Sequence, residues 1–537
     1  VRRWRERMAA LAVAIALVGV SACGVRGAGA GGDRLVFATG QTPQCLDPQV
    51  SPQDIVATID RNIFDSLVVF TRDGRFEPWL ATRWDISADG LRYTFHLRPG
   101  VRFHDGTPLD AAAVAATLDH AVAPETKSQY AAGLIDAYDR SEVVGPTEIR
   151  IHLKRPSAPF LQALSTAYLG IQSPKSLREN KGALCGKPVG SGPFSFRRWS
   201  KNSAIELDRN PDYDWGPSTA AHTGPALVPG LTIRLISENA SRFGALTSGQ
   251  VDVIDQVPPA NVPSLKRFDA LRYSRAESPG IVSAVMFNPV RGVLADEQVR
   301  RAVLRAIDVD GLVRSVHFGQ FDRAWSPLGP TTPGYARGLE GTWPHDPAAA
   351  GALLDAAGWT GRDARGYRTR DGVRLVLRWP YAATYQSSMV TTAQGVQAEL
   401  KKVGIQLDYT GVDTGTFGEL LETGDLDMFA TSFIRADPDI LNFFLESGKT
   451  RDNGGGNVFA QRHPELDRLL LAGHTELDPL ARADLYAASQ RYVVDHALIL
   501  PLWVPAALVG YTDRVRGLAS DPVGFPLFYD VDLRGRA

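Results

Sequence analysis

The sequence lacks a surplus of either charge. Lys and Arg total 58 against 59 Asp and Glu, for a formal net charge of -1. A general polyanion-binding surface is therefore not indicated, and nucleic acid is a poor candidate partner. Long apolar runs are also missing except for one at the amino terminus, which excludes a multi-span membrane protein. No G-x-S-x-G and no H-E-x-x-H occurs, and the ten His are scattered without metal spacing. Those absences argue against a hydrolase nucleophile or a zinc site, and no metal, cofactor or catalytic residue is expected. Cysteine is scarce, with three in 537 residues. No tandem repeat is present, and low complexity is confined to a short tract near the start. What remains is ordinary globular material, 44% hydrophobic and 22% charged. A chain of this length predicts about three domains or two large lobes.

The amino-terminal run reads as an export signal. Arg2, Arg3, Arg5 and Arg7 precede the apolar stretch Met8 to Val20, followed by Ser21-Ala22-Cys23. A basic segment, a short apolar core and small residues before a cleavage point describe a secretory signal over 1–22. The run is short for a transmembrane helix. A Cys after small residues resembles a bacterial lipobox, which implies lipidation at Cys23. Residues 23–32 are Gly/Ala-rich and read as a flexible tether from that anchor. The chain is then expected outside the cytoplasm, on the outer face of the cell membrane. With Cys23 lipidated, Cys45 and Cys185 form an even pair in an oxidising compartment. A Cys45–Cys185 disulfide is expected; the other reading is two buried thiols.

Along the mature chain, 34–38 reads as a buried strand and 54–70 as a helix with Ile55, Ile59, Ile63, Phe64 and Leu67 on one face. Asp89-Gly90 signals a turn before the alternating strand 93–98. Asp110 is placed to cap an Ala-rich helix over 110–121. One long amphipathic helix is expected over 296–314. Strands and helices alternate over 370–435, which predicts parallel βαβ units. Phe103-His104-Asp105-Gly106 and Gly190-Ser191-Gly192 read as turns rather than as catalytic groups. The run 453–457 reads as a mobile loop near a cleft mouth.

Several motifs arrive in a fixed order: Leu46-Asp47-Pro48, Leu97-Arg98-Pro99-Gly100-Val101-Arg102-Phe103-His104-Asp105-Gly106, Val189-Gly190-Ser191-Gly192-Pro193-Phe194, and Arg209-Asn210-Pro211-Asp212-Tyr213. Leu246-Thr247-Ser248-Gly249-Gln250-Val251-Asp252, Val299-Arg300-Arg301-Ala302, and Leu353-Leu354-Asp355-Ala356-Ala357-Gly358-Trp359 complete the series. This ordered set resembles the extracytoplasmic solute-binding proteins of ABC importers, family 5, which bind dipeptides, oligopeptides or nickel. The resemblance covers nearly the whole mature chain. It implies an α/β, two-lobed periplasmic-binding-protein-like fold of type II, with an extra inserted subdomain and a hinge between lobes. By analogy, lobe I comprises 33–60, 188–280 and 505–537. The inserted subdomain is 61–187, and lobe II is 281–504.

The resemblance also implies a ligand in the cleft, an ABC permease as partner, a monomer, and no enzymatic step. In peptide-binding members an Asp near a strand end takes the ligand ammonium, and Asp437 has the matching position. The alternative for Asp437 is a turn or cap before Pro438. Trp379 and Tyr381 are expected to line an apolar or backbone-binding pocket, with core packing as the other reading. Arg378 lies one residue off the position of a carboxylate clamp, and strand alternation turns it to the opposite face. Pro279 and Gly280, at the crossover between lobes, are expected to supply backbone hydrogen bonds. A peptide is the expected ligand. The alternatives in the same role are a nickel chelate, haem, glutathione, an opine or an oligosaccharide.

Overall fold

Consecutive apolar side chains in Leu35–Thr39 suit a strand buried on both faces, and this segment is the middle of a seven-stranded mixed sheet. A computed structural model of the chain describes residues 34–180, 182–384 and 387–533. The expected signal segment 1–22, the lipidation site Cys23 and the tether 23–32 lie outside them. In sheet order the strands are Leu271–Glu277, Ala506–Thr512, Val253–Ile254, Leu35–Thr39, Gly230–Leu235, Ala204–Arg209 and Phe194–Ser200. Leu35–Thr39 runs parallel to both neighbours, and the other pairings are antiparallel.

Between the first and later strands of that sheet sits a separate four-stranded antiparallel sheet. Its order is Ala81–Ile86, Arg92–Leu97, Glu148–Leu153, Tyr138–Gly145. Helix Ala111–Val122 packs on it, and the Asp110 carboxylate accepts from the Ala113 N–H as a cap. A Cys45–Cys185 disulfide bridges a sequence separation of 140 and ties the two sheets' segments together.

The second lobe is built on Gly280–Phe287, a strand with every residue buried. It pairs antiparallel with Met428–Ile434 on one side and Ile499–Trp503 on the other. Val376–Ala382 and Gln406–Val412 form a parallel pair joined through helix Ser387–Lys402, which is the expected βαβ unit. The chain passes between lobes at 277–280 and 503–506. The two passages lie side by side, with the Ser278 N–H donating to the Pro505 carbonyl at 2.9 Å. Among the described residues no helix is long and apolar enough to cross a membrane.

Four local expectations are corrected. The helix from 54 stops at Asp60 rather than near 70. The Asn62 and Ile63 carbonyls accept from the N–H groups of Phe194 and Gly192, so they are spent outside any helix. Glycine is required there, because a Cβ on Gly190 would lie 2.0 Å from the Ile63 oxygen. The helix from 296 is two helices, Glu297–Ala306 and Val309–His317. Ile307 is extended between them, and Asp308 caps the second through the Gly311 N–H. Met428–Ile434 leaves the parallel unit and pairs antiparallel with Gly280–Phe287. The 453–457 segment is packed at its end: Asn453 and Gly454 are exposed, but Gly455 to Asn457 are buried, and Asn457 donates to the Glu446 and Gln461 carbonyls.

Candidate ligand-binding site

A cavity of about 300 Å³ opens where the inserted subdomain, the first lobe and one strand end of the second lobe meet. This is at the low end of small-molecule pockets, which run from about 300 to 1,000 Å³. Helix Asp54–Asp60 and its exit supply Ala57 and Arg61. The inserted subdomain supplies Trp79, Tyr130 and Tyr168, and the carboxy-terminal segment supplies Asp521, Phe525 and Tyr529. The second lobe contributes Ile434, Arg435 and Ala436. The lining is largely aromatic and apolar with a few charged groups, as binding pockets usually are.

Strand geometry delivers Arg435. Met428–Ile434 ends beside Gly280, and the chain then turns through Asp437-Pro438 into helix Ile440–Leu445. Gly280 has φ +102, and a Cβ there would lie 2.2 Å from the Phe433 oxygen and 2.6 Å from the Arg435 nitrogen. Only glycine allows that approach without strain.

The Arg435 guanidinium sits 4.0 Å from the Tyr130 ring centroid, 5.2 Å from Phe433 and 5.6 Å from Tyr168. Its Nη1 donates to the Ile434 carbonyl at 2.6 Å and is 3.7 Å from an Asp54 oxygen. Burial works against its charge, but Tyr130, Tyr168 and Asp54 hold its pKa above the ordinary value. Burial pushes the Tyr130 hydroxyl up to about 12.

The other charged groups are partnered. Arg61 donates to Ser66 Oγ and to the Ser165 carbonyl, both at 2.8 Å, and lies over Trp79. Asp65 accepts from Ser191 Oγ, Tyr213 Oη and Trp215 Nε1 at 2.7, 3.0 and 3.0 Å. Burial nonetheless raises its carboxyl to about 6. Asp521 is also raised to about 6 by burial, with Arg61 opposing, and accepts from the Val523 and Phe525 N–H groups. Among the described residues no group of three or more His, Cys, Asp or Glu is placed to hold a metal ion.

The residues singled out from sequence fall differently. Asp437 does not line the cavity. Its two oxygens take Nη2 and Nη1 of Arg482 at 2.6 and 3.0 Å, so the carboxylate is committed to a partly buried ion pair. Trp379 is fully buried in the second-lobe core, 5.2 Å from Tyr409 in an edge-to-face contact. It packs rather than lines. Tyr381 stacks on Tyr409 at 4.2 Å and 11° and is not part of the cavity wall. Arg378 does face the other way, toward Asp425 and Asp427.

The Pro279 carbonyl accepts from the Arg435 N–H at 3.2 Å. Gly280 donates to Thr332 Oγ1 and accepts from the Gly329 N–H. These two residues therefore shape the crossover and use their hydrogen bonds within the protein. Arg435 went unassigned although it stands two positions before Asp437. The aromatic wall of Tyr130 and Tyr168 carries no local signal at all.

The model for bacterial extracellular solute-binding proteins, family 5 Middle, matches residues 75–455. The di/tripeptide-binding protein 4 of Pseudomonas aeruginosa is 29% identical, over 96% of this chain and 96% of that protein. The glutathione-binding protein GsiB of Pectobacterium atrosepticum is 28% identical, over 71% of this chain and 69% of its own. The crystal structure of NikA from Brucella suis in complex with Fe(III)-EDTA superposes with a TM-score of 0.82 at 26% identity. It covers 93% of this chain and 100% of that one.

Proposed function

The chain belongs to the family 5 bacterial extracellular solute-binding proteins, and from that premise we propose that it captures a short peptide in the cavity and delivers it to an ABC permease. The observation that carries this reading is that both lobes wall the cavity: Ile434 to Ala436 close it against the inserted subdomain and the first lobe. A solute there touches both halves and favours their closed arrangement, which is a population shift needing no covalent chemistry. The volume suits a ligand of two or three residues. The resemblance to a di/tripeptide-binding protein along almost the whole chain supports the same class. The lipidated Cys23 and the 23–32 tether hold the receptor at the outer face of the cell membrane, beside its permease, as a monomer. One observation favours a second reading in the same transport role: the Asp437 carboxylate already pairs with Arg482, which leaves it less free to take a ligand ammonium. A nickel chelate, haem, glutathione, an opine or an oligosaccharide then becomes the alternative.

Thermal melting against di- and tripeptide mixtures, and against the other solutes, separates the two. A ligand at a hundred times its Kd stabilises by about 2.7 kcal/mol. Stabilisation by a non-peptide alone removes the peptide reading, and cleavage of any peptide removes the receptor reading.

A further inference from the structure

We propose that His474 links the closing of the two lobes to the uptake of a proton: its charged ring on the second lobe attracts Asp136 on the inserted subdomain, so acid favours the closed arrangement and alkali the open one. The link acts on the motion of the lobes, whatever solute they hold, and stands apart from the peptide reading.

His474 lies in the last turn of helix Pro464–Thr475. There the second lobe meets the inserted subdomain along a seam outside the cavity wall. The His474 carbonyl accepts from the Ala158 N–H at 2.9 Å. Leu477 sits against the turn at Gly90, where a Cβ would lie 3.1 Å from its Cδ1 and 3.3 Å from Pro156 Cβ. Asp136 takes Arg155 Nη2 at 2.6 Å and, across the seam, Lys449 Nζ at 3.4 Å, both on Oδ2. The His474 ring is buried, with Nδ1 bonded to Asp439 Oδ1 at 3.1 Å. That leaves Nε2, buried and without a partner, as the atom that gains or loses the proton.

The charges around the ring divide by lobe. Asp439, bonded to Tyr486, and Asp437, paired with Arg482, belong to the second lobe and travel with His474, as does Lys449. Beside it in sequence, Asp467 accepts from Ser447, Glu476 accepts from the Asp478 N–H, and Arg468 is exposed. Asp136, Arg155 and the Tyr93 hydroxyl, which burial pushes up to about 12, belong to the inserted subdomain and part from the ring on opening. Burial works against the charge on His474, but Asp439 supports it, Asp136 adds to that support and Arg155 opposes more weakly, for a pKa above the ordinary value. Opening keeps Asp439 and removes Asp136. The closed arrangement therefore holds the proton more tightly, and by linkage the proton favours closure. That advantage is full at acid pH and is lost as pH climbs through the closed-state value, above about 6.5.

The test reads amide exchange of the whole, unliganded protein at about pH 6 and about pH 8, across the histidine titration. Protection of the Ala158 amide, corrected for the intrinsic rate, should drop about fivefold toward the higher pH, and X-ray scattering should show the radius of gyration growing. In Asp136→Asn, which leaves the ring and its Asp439 bond in place, the drop should vanish, and Asp136→Glu should restore it. In His474→Gln it should vanish too. The Asp136 side chain is 35% exposed, so its variants decide the matter even where His474→Gln is too unstable to measure. Protection that is flat or rises with pH in the unaltered protein overturns the proposal. So does a drop that survives Asp136→Asn, which would confine His474 to the stability of its own lobe.

Discussion

Replacing Asp437 by Ala should damage the fold and spare the ligand. The carboxylate receives both terminal nitrogens of Arg482 at 2.6 and 3.0 Å, and its Oδ1 also accepts from the Asp439 N–H at 2.9 Å. The two side chains are 13% and 14% exposed, so water screens the pair weakly. Removing one partner of such a pair costs about 3–5 kcal/mol, mostly because the other charge stays buried. Here Arg482 keeps the Gly473 carbonyl at 2.9 Å and the nearby Asp439 charge, which favours the lower figure, about 3 kcal/mol. At about 2.1 cal/mol/K of unfolding entropy per residue, each kcal/mol moves the melting temperature of a chain this long by about 1 °C, so a drop of about 3 °C is expected. Differential scanning calorimetry reads the drop, and titration calorimetry on the folded variant reads affinity. Replacing both partners with Leu should recover much of the loss, because a well-packed apolar pair has no stranded charge. The reasoning fails if Asp437→Ala melts within about 1 °C of the unaltered protein while its affinity for dipeptides collapses. That outcome would make Asp437 the ammonium anchor after all.

Removing the Cys45–Cys185 bridge by a double Ala replacement should cost about 4–5 kcal/mol, since it closes a long loop; an unchanged urea midpoint would contradict this. His474 bonds to Asp439 at 3.1 Å, and although burial lowers its pKa, the Asp439 bond and charge raise it overall. A raised folded pKa gives stability that is complete below about 6.5 and lost as pH climbs through the folded value. His474→Gln should therefore flatten the fall of melting temperature above that pH, and an unaltered slope would remove His474 as its source. Trp379→Ala should cost about 3–5 kcal/mol with affinity unchanged in the molecules that remain folded, whereas lost affinity at full stability would return Trp379 to the binding site.

Features held by local chemistry were legible in the sequence. The Asp89-Gly90 turn is read directly, because Gly90 takes φ +68 and donates to the Ser87 carbonyl at 2.8 Å. Asp110 caps its helix for the same local reason. The end of the first helix was not legible, since it depends on carbonyls claimed by a turn more than a hundred residues downstream. Trp379 was half legible. The alternation Leu377, Arg378, Trp379 says that the Trp shares a face with the Leu, and that face is the core. Reading the Trp as a liner ignored its own strand neighbours. Asp437 and Arg435 could not be sorted by spacing alone. Which of them meets the cavity is decided by Arg482, forty-five positions away, and by the glycine that draws the strand end in at Gly280.

The place of Arg435 bears on closure as well as on affinity. Direct ties between the second lobe and the inserted subdomain are modest. The Ala158 N–H donates to the His474 carbonyl at 2.9 Å, and Lys449 Nζ lies 3.4 Å from Asp136. The first is worth about 0.5–1.5 kcal/mol, and the half-exposed ion pair about 0–1. Arg435 over Tyr130 adds about 0.5–2 kcal/mol. Driving a two-state closure from rare to dominant takes about 5.5 kcal/mol of differential binding. Charge-assisted hydrogen bonds contribute about 1.5–3 kcal/mol each, so two of them from a solute to second-lobe groups reach that scale. A ligand bonded only to first-lobe groups would bind without shifting the lobes. On the receptor reading, the side chain that selects the solute must therefore stand on the second lobe, and at this cavity the charged group standing there is Arg435.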